Sequence, residues 1–308
     1  MIEIEKKIAA IDEELAELKN AEESEYKKVR ERQLISNKEE LLQAMKNLSP
    51  KDKVAIARHK DRPNVSEYIE EMFEEFFELK GDHYFGEDES ILAGLAFFHG
   101  IAVTVIGQKK GKTLEENLRC NFGMPNPEGY RKALRLMKQA EKFNRPIITL
   151  IDTPGAYPGI DAEARGQSEA IARNLAEMST LGVPIIAVII GEGNSGGALA
   201  LAVANSVLML ENSIYCILSP EGFASILWKD ASRSKEACDI MKLTAQDLLK
   251  FGMIDGIIPE PLGGAHHDKK AAIKAAEAVI YRELEKYRTL SAAQLKEQRY
   301  HKFRSMGQ

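Results

Sequence analysis

The part of this chain best suited to chemistry is a run of glycines on one loop. After the apolar stretch Ile185 to Ile190 come Gly191, Glu192, Gly193, Asn194, Ser195, Gly196, Gly197 and Ala198. Glycines that lead into a helix leave backbone N–H groups uncovered, so negative charge can be held there. Three chemistries fit the spacing. Gly191, Gly193 and Gly196 satisfy the dinucleotide pattern G-x-G-x-x-G, with Glu211 twenty residues past Gly191 where a ribose-binding acid would stand. That fingerprint usually opens the first βα turn, whereas here a hairpin, a helix and a strand come earlier. Gly193, Ser195 and Gly197 satisfy the nucleophile elbow G-x-S-x-G, and Asp255 with His266 and His267 follow in the order Ser, acid, His. In the third reading the amides of Gly196 and Gly197 form an oxyanion hole, and no side-chain acid or base is needed. A Walker phosphate loop is excluded, because no Lys follows Gly196 or Gly197. Plain tight turns would explain the glycines without any chemistry.

A second glycine-bearing turn supports the oxyanion reading. The apolar run Ile147 to Ile151 ends in Asp152, Thr153, Pro154, Gly155, Ala156, Tyr157, Pro158 and Gly159. Two such loops leaving the carboxyl ends of buried strands lie where ligands of α/β sheets collect. The elements that must position them follow from periodicity. Runs Ile91 to Phe98 and Ile101 to Ile106 predict a hairpin turning at His99 and Gly100. Helices are expected over Ala162 to Leu181, Ala198 to Ala204 and Asp268 to Tyr287, and strands over Ile185 to Ile190, Val207 to Leu210 and Ile214 to Leu218. The alternation implies α/β with a largely parallel sheet. Asn64 with Glu67 reads as a capping box for a short helix presenting Val65, Ile69, Met72, Phe73 and Phe76.

No glycine precedes Gly81, and the first fifty residues hold 12 acidic and 9 basic ones, so this segment reads as solvated helix. Ile4, Ile8, Ile11, Leu15 and Leu18 form one apolar seam and Leu34, Leu41, Met45 and Leu48 another. A helical hairpin that clasps either a partner or its own body is expected, with Pro50 to Pro63 as linker. The division is therefore 1–62, hairpin and linker, and 63–308, the α/β body. There is no internal repeat.

The 308 residues carry 42 Lys plus Arg against 47 Asp plus Glu, a net charge of -5, with 44% hydrophobic residues. This is an ordinary globular balance. The longest apolar stretch, Val183 to Ile190, is far short of the roughly 18 residues a membrane helix needs and contains Pro184. With no apolar block at the start, a cytoplasmic protein is expected. Cys120, Cys216 and Cys238 are odd in number and widely spaced, fitting reduced core thiols rather than disulfides or a zinc knuckle.

Asp152 to Gly159 followed by Gly191 to Ala198 resembles the α subunit family of the carboxyltransferase component of acetyl-CoA carboxylase, the multi-subunit bacterial and plastid type. The likeness extends through Asn121 to Met137, Arg165 to Leu175, Ser219 to Trp228 and Ile258 to His266, and it is looser over the hairpin. Asn194 stands where the family usually has glycine, and Asn tolerates the left-handed angles a glycine there would adopt. The resemblance implies a crotonase-like fold, a spiral of ββα units, and an assembly of two α with two β subunits. It implies that α cradles carboxybiotin presented on the biotin carboxyl carrier protein, that β holds acetyl-CoA and a zinc ribbon, and that biotin carboxylase joins the larger complex. No metal is expected in this chain. The implied reaction yields malonyl-CoA, the first committed step of fatty acid synthesis. Loss of CO2 leaves charge on the biotin ureido oxygen, that anion takes a proton from the acetyl methyl, and the enolate attacks CO2. Such a sequence needs oxyanion holes and positioning rather than a catalytic His. The resemblance assigns the biotin-side hole to Gly196 and Gly197, with Gly155, Ala156, Gly193 and Ser195 contributing to substrate binding.

A basic stripe completes the candidates. Ten Lys or Arg against four Glu lie between Gly107 and Arg145, with Arg131, Arg135, Lys138 and Lys142 along one helix face. Coenzyme A phosphates or the carrier protein could use it, as could solvent alone. Nucleic acid is disfavoured by the acidic whole and the lack of interleaved aromatics.

Overall fold

A computed structural model describes residues 2–19 and 25–307. The charged start forms α1 (Ile2–Lys19) and α2 (Glu25–Lys46), joined side by side by Arg30 on Glu14 and Lys38 on Asp12. Residues 20–24 lie outside the described set. Ile8, Ile11 and Leu15 are only partly covered, whereas Leu34 and Met45 are buried. Met45 reaches the body: a Cβ on Gly263 would come 2.3 Å from its Cε.

Helix α3 (Pro50–Ala57) stands where a linker is expected. Pro50 occupies the first helical turn, where its missing N–H is harmless, and the Ser49 hydroxyl accepts from the Asp52 amide. Val54 and Ala57 pack against Ile214, Cys238 and Leu243, so this segment is a helix seated on the α/β body rather than an extended linker. Helix α4 (Val65–Met72) starts at the expected capping box but ends before the aromatics. Phe73 is extended, and β1 (Glu74–Glu78) carries Phe76 and Phe77 instead. β2 (Ile91–Phe98) and β3 (Ile101–Gln108) form the expected hairpin, with His99 and Gly100 both at positive φ, as a tight two-residue turn requires.

Beyond the hairpin come α5 (Leu114–Arg119), α6 (Pro127–Lys142), β4 (Ile147–Thr153), α7 (Ile160–Ala164), α8 (Gln167–Thr180), β5 (Ile185–Asn194) and α9 (Ser195–Leu199). They are followed by β6 (Ser206–Leu210), β7 (Ile214–Cys216), α10 (Pro220–Trp228), α11 (Ser234–Met241), α12 (Ala245–Lys250), β8 (Gly256–Ile258), α13 (Lys269–Tyr287) and α14 (Ala292–Ser305). The single helix expected over Ala162 to Leu181 is two, α7 and α8, because Gly166 turns at φ 84. The helix expected from Ala198 to Ala204 is the shorter α9, and β7 stops at Cys216.

The sheet runs β1-β2-β3-β4-β5-β6-β8, with β7 pairing the far end of β5. The first two pairings are antiparallel and the rest parallel. Alternation along β5 divides the core: Ile185, Ala187 and Ile189 face α6 and α8, while Ile186, Val188 and Ile190 face α4 and α13. Burying each such Ile contributes roughly 1.5–3 kcal/mol. Strands covered on both faces are nearly continuous in apolar residues, so β4 and β5 give the loops at their carboxyl ends well-packed starting points.

Candidate active site

Strands β4 and β5 are neighbours, with Thr153 in register with Gly193, and the two glycine-bearing loops leave them side by side. The β4 loop is held from within. The Thr153 hydroxyl accepts from Gly155 N at 3.0 Å and lies 2.6 Å from Gly123 O and 2.8 Å from Gly155 O. Tyr157 N donates to Pro125 O, and Gln167 Nε2 donates to the carbonyls of Pro125 and Tyr157. Gly155 has φ 141, a backbone angle that favours glycine, with open space where a side chain would be.

In the β5 loop the chain turns into α9 at Ser195, whose φ is 59. Asn194 is therefore not the left-handed residue: it is extended at φ -120, buried, and donates its side-chain amide to Glu192. No side chain caps α9, so the amides of its first turn have no intrahelical acceptor. The Gly197 carbonyl is taken by Gln108 Nε2 at 2.7 Å. Gly197 is buried against the facing loop: an added Cβ would lie 2.5 Å from Ala156 N, 2.7 Å from Gly155 C and 2.9 Å from Tyr130 Oη. Gly196 is half-exposed, and a Cβ there would meet only Ile171, at 3.3 Å. Gly155, Ala156 and Gly197 thus converge, with Gly196 next to Gly197 along the chain. Gly193 does not join them; it is buried in β5, where a Cβ would come 3.1 Å from the Tyr215 ring.

Beneath the loops lies a charged cluster that the sequence analysis missed. Lys110 Nζ bridges Asp152 Oδ1 and Glu192 Oε1, each at 2.8 Å, and Arg58 Nε holds Glu192 Oε2 at 2.8 Å. Asp152 Oδ1 also accepts from Glu192 N, and a Cβ on Gly191 would come within 2.4 Å of it. Burial pushes the Glu192 carboxyl up, but Lys110 and Arg58 outweigh it and hold the group below its ordinary range. Burial pulls Lys110 down, and its two carboxylate partners more than restore it. The available signal was Glu192 itself, an acid ending an apolar strand, which needs a cation once buried.

Ser195 is exposed, and with Gly196 it edges an apolar cleft of about 390 Å³ walled by Leu199, Tyr215, Phe303 and Met306. That cleft has no His in its lining. His266 stacks on His59 at 4.0 Å, and Asp255 is tied to Val207 N and Lys302, so the hydrolase constellation is not assembled. The dinucleotide reading fails too. Gly191 and Gly193 lie inside β5 rather than in a loop, and the Glu211 carboxylate accepts from Glu260 N. The cysteines are unpaired, Cys120 and Cys238 buried and Cys216 half-buried. Burial pushes the Cys216 thiol up to about 12, so it stays neutral.

The basic stripe is engaged within the chain. Arg131 Nε donates to buried Asp82, Arg135 donates to the carbonyls of Lys80 and Gly81, and Lys138 pairs with Glu177 at 2.9 Å. The first two tie the loop ahead of β2 onto α6. Among the described residues no helix is long and apolar enough to cross a membrane.

Comparison with known proteins bears on this arrangement. The family described as acetyl co-enzyme A carboxylase carboxyltransferase-like matches residues 1–307. The acetyl-coenzyme A carboxylase carboxyl transferase subunit alpha of Anoxybacillus flavithermus is 60% identical over 85% of this chain and 80% of its own length. That of Listeria monocytogenes is 52% identical over 99% and 97%. Among solved structures, transcarboxylase 12S superposes with a TM-score of 0.61 at 19% identity, over 78% of this chain and 45% of that one. The beta subunit of Pseudomonas aeruginosa geranyl-CoA carboxylase gives 0.57 at 15% identity, over 78% and 46%. These likenesses give the chain the crotonase-like fold, although it spans less than half of either of those chains.

Proposed function

Since the chain belongs to the acetyl-CoA carboxylase carboxyltransferase-like family, we propose that it is an α subunit of the same working kind. On this reading it receives carboxybiotin from a carrier protein. With a zinc-bearing β subunit in an α2β2 assembly it passes the carboxyl group to acetyl-CoA, in a cytoplasmic complex that also holds biotin carboxylase. The observation that carries this reading is the meeting of two glycine loops whose offerings to a ligand are backbone amides rather than a side-chain acid or base.

Gly196 and Gly197, at the start of α9, supply N–H groups to the charge that develops on the biotin oxygen, and Ala156 adds an amide from the facing loop. The α9 donors are fixed and act without reorganising, and loss of one such donor typically costs about 2.7–4 kcal/mol of transition-state stabilisation. Gly155 lets the β4 loop approach, Gly193 supports the β5 loop from beneath, and Ser195 sits at the cleft mouth. The apolar wall suits the hydrocarbon part of a biotinyl group, whose burial removes water from the reacting end. Arg131 and Arg135 contribute by tying the loop ahead of β2 onto α6, and Lys138 by pairing α6 with Glu177.

The reading is tested by reconstitution. This chain alone is expected to make no malonyl-CoA from carboxybiotin and acetyl-CoA, and adding an equimolar zinc-containing β subunit should restore synthesis. Robust turnover by a zinc-free preparation of this chain would refute the division of labour.

A further inference from the structure

Tyr130, on α6, is fully buried, and its hydroxyl has no hydrogen-bond partner among the described residues. It is packed among Ala170, Ala200, Ala156 and Ile171, and its Oη lies 2.9 Å from where a Gly197 Cβ would be, the point that Ala156 N approaches to 2.5 Å. A buried hydroxyl left unpaired costs free energy, so folding alone would favour Phe at this position. The unmet donor therefore points to a second arrangement of the loop above it.

The loop has the means to adopt one. The Thr153 hydroxyl carries a single proton, yet it lies within hydrogen-bond distance of two carbonyls, Gly123 O and Gly155 O. When the proton goes to Gly123, the Gly155 carbonyl is released. Gly155 has open space at the Cβ position and a φ of 141, so the Gly155–Ala156 peptide can turn without a side-chain clash. The opposite wall stays still, because Gln108 holds the Gly197 carbonyl.

We propose that Tyr130 is a positioning residue of the oxyanion hole, whose O–H takes the Gly155 carbonyl in the ligand-loaded state and thereby presents Ala156 N–H to the ligand anion. The direction follows from peptide geometry. The bond is trans, so a carbonyl drawn inward to a buried phenol leaves the N–H of the same unit pointing outward. Burial raises the Tyr130 phenol well above its ordinary value, so it remains a neutral donor at every working pH. The hole is thus half fixed, at α9, and half assembled on loading, at the β4 loop. This rests on the carboxyltransferase reading above.

The test is Tyr130→Phe in the complex with an unaltered β subunit. The melting temperature should be unchanged or higher, because an unpaired hydroxyl is removed. Turnover should fall about tenfold, less than for direct loss of an oxyanion donor, with KM for both substrates nearly constant. Turnover within twofold of the parent overturns the proposal, and so does a lowered melting temperature with raised KM, which would make Tyr130 a packing residue only. If the unaltered complex forms no malonyl-CoA, the carboxyltransferase reading fails instead, and the two failures are distinguishable.

Discussion

Replacing Gly197 by alanine is expected to damage turnover far more than the same change one residue earlier. At Gly197 the new methyl would sit 2.5 Å from Ala156 N and 2.7 Å from Gly155 C. Both atoms are backbone, so these contacts are relieved by moving the β4 loop about 1 Å outward to normal van der Waals distance, and Tyr130 Oη, 2.9 Å away, must give way as well. A displacement of that size at a positioned group costs on the order of a hundredfold in rate, or about 2.7 kcal/mol. At Gly196 the methyl would meet Ile171 Cγ2 at 3.3 Å, a side chain that can yield by a few tenths of an ångström, and the loss should stay within about fivefold. Neither glycine has a positive φ, so the contrast isolates the approach of the two loops from backbone strain. Malonyl-CoA formation by the assembled complex is the assay, with melting temperature and complex mass measured alongside, since overpacking at Gly197 also costs about 1–3 kcal/mol of stability. A stable Gly197→Ala complex turning over near the parent rate, or a more damaging Gly196→Ala, would refute the two-loop site.

Ser195→Ala should reduce turnover by less than about tenfold, because a nucleophile's removal costs orders of magnitude more; an acyl adduct on Ser195 would reverse this reading. Lys110→Met should destabilise the chain by about 3–5 kcal/mol in urea titrations, since it leaves Asp152 and Glu192 without their shared cation. Its pH signature has two limbs. Glu192 is held below its ordinary value, so its contribution is present above that value and lost as pH falls through the folded one. Lys110 is held above its own, so its contribution is complete below the ordinary value and lost as pH rises through the folded one. The variant should show shallower acid and alkaline limbs than the parent, and parallel profiles would contradict the cluster's role.

What could be read from the residues, and what could not, divides along a physical line. The loops after β4 and β5 are legible because, in the proposed reading, they act through backbone, and backbone exposure demands glycine in a recognisable place. Their supports are not. Arg58, Lys110, Asp152 and Glu192 come from four separate segments, and no local periodicity brings them together. Pro50 misled in the other direction: a proline at a helix start reads like one that breaks a helix. Phe73 and Phe76 continued a helical apolar spacing, yet the chain becomes extended at Phe73 and joins the sheet edge as β1. Asn194 was expected to absorb a left-handed turn that falls instead on Ser195, because β5 extends through Asn194 to pair with β7.

The buried charges also bear on why a hole for an anion can sit over two carboxylates. An uncompensated carboxylate about 8 Å from a developing oxyanion would oppose it by about 2 kcal/mol at an effective dielectric of 20. Asp152 and Glu192 end the two strands that carry the loops, so without compensation they would act against the chemistry proposed above them. Lys110 spans both and Arg58 covers the remaining oxygen of Glu192, which brings these four charges to neutrality without presenting a side chain to the cleft. The same bridge joins the ends of β4 and β5, so the group that neutralises the floor also fixes the spacing of the amides above it. Loss of Lys110 should therefore slow turnover even in molecules that remain folded, through repulsion and through loop spacing together.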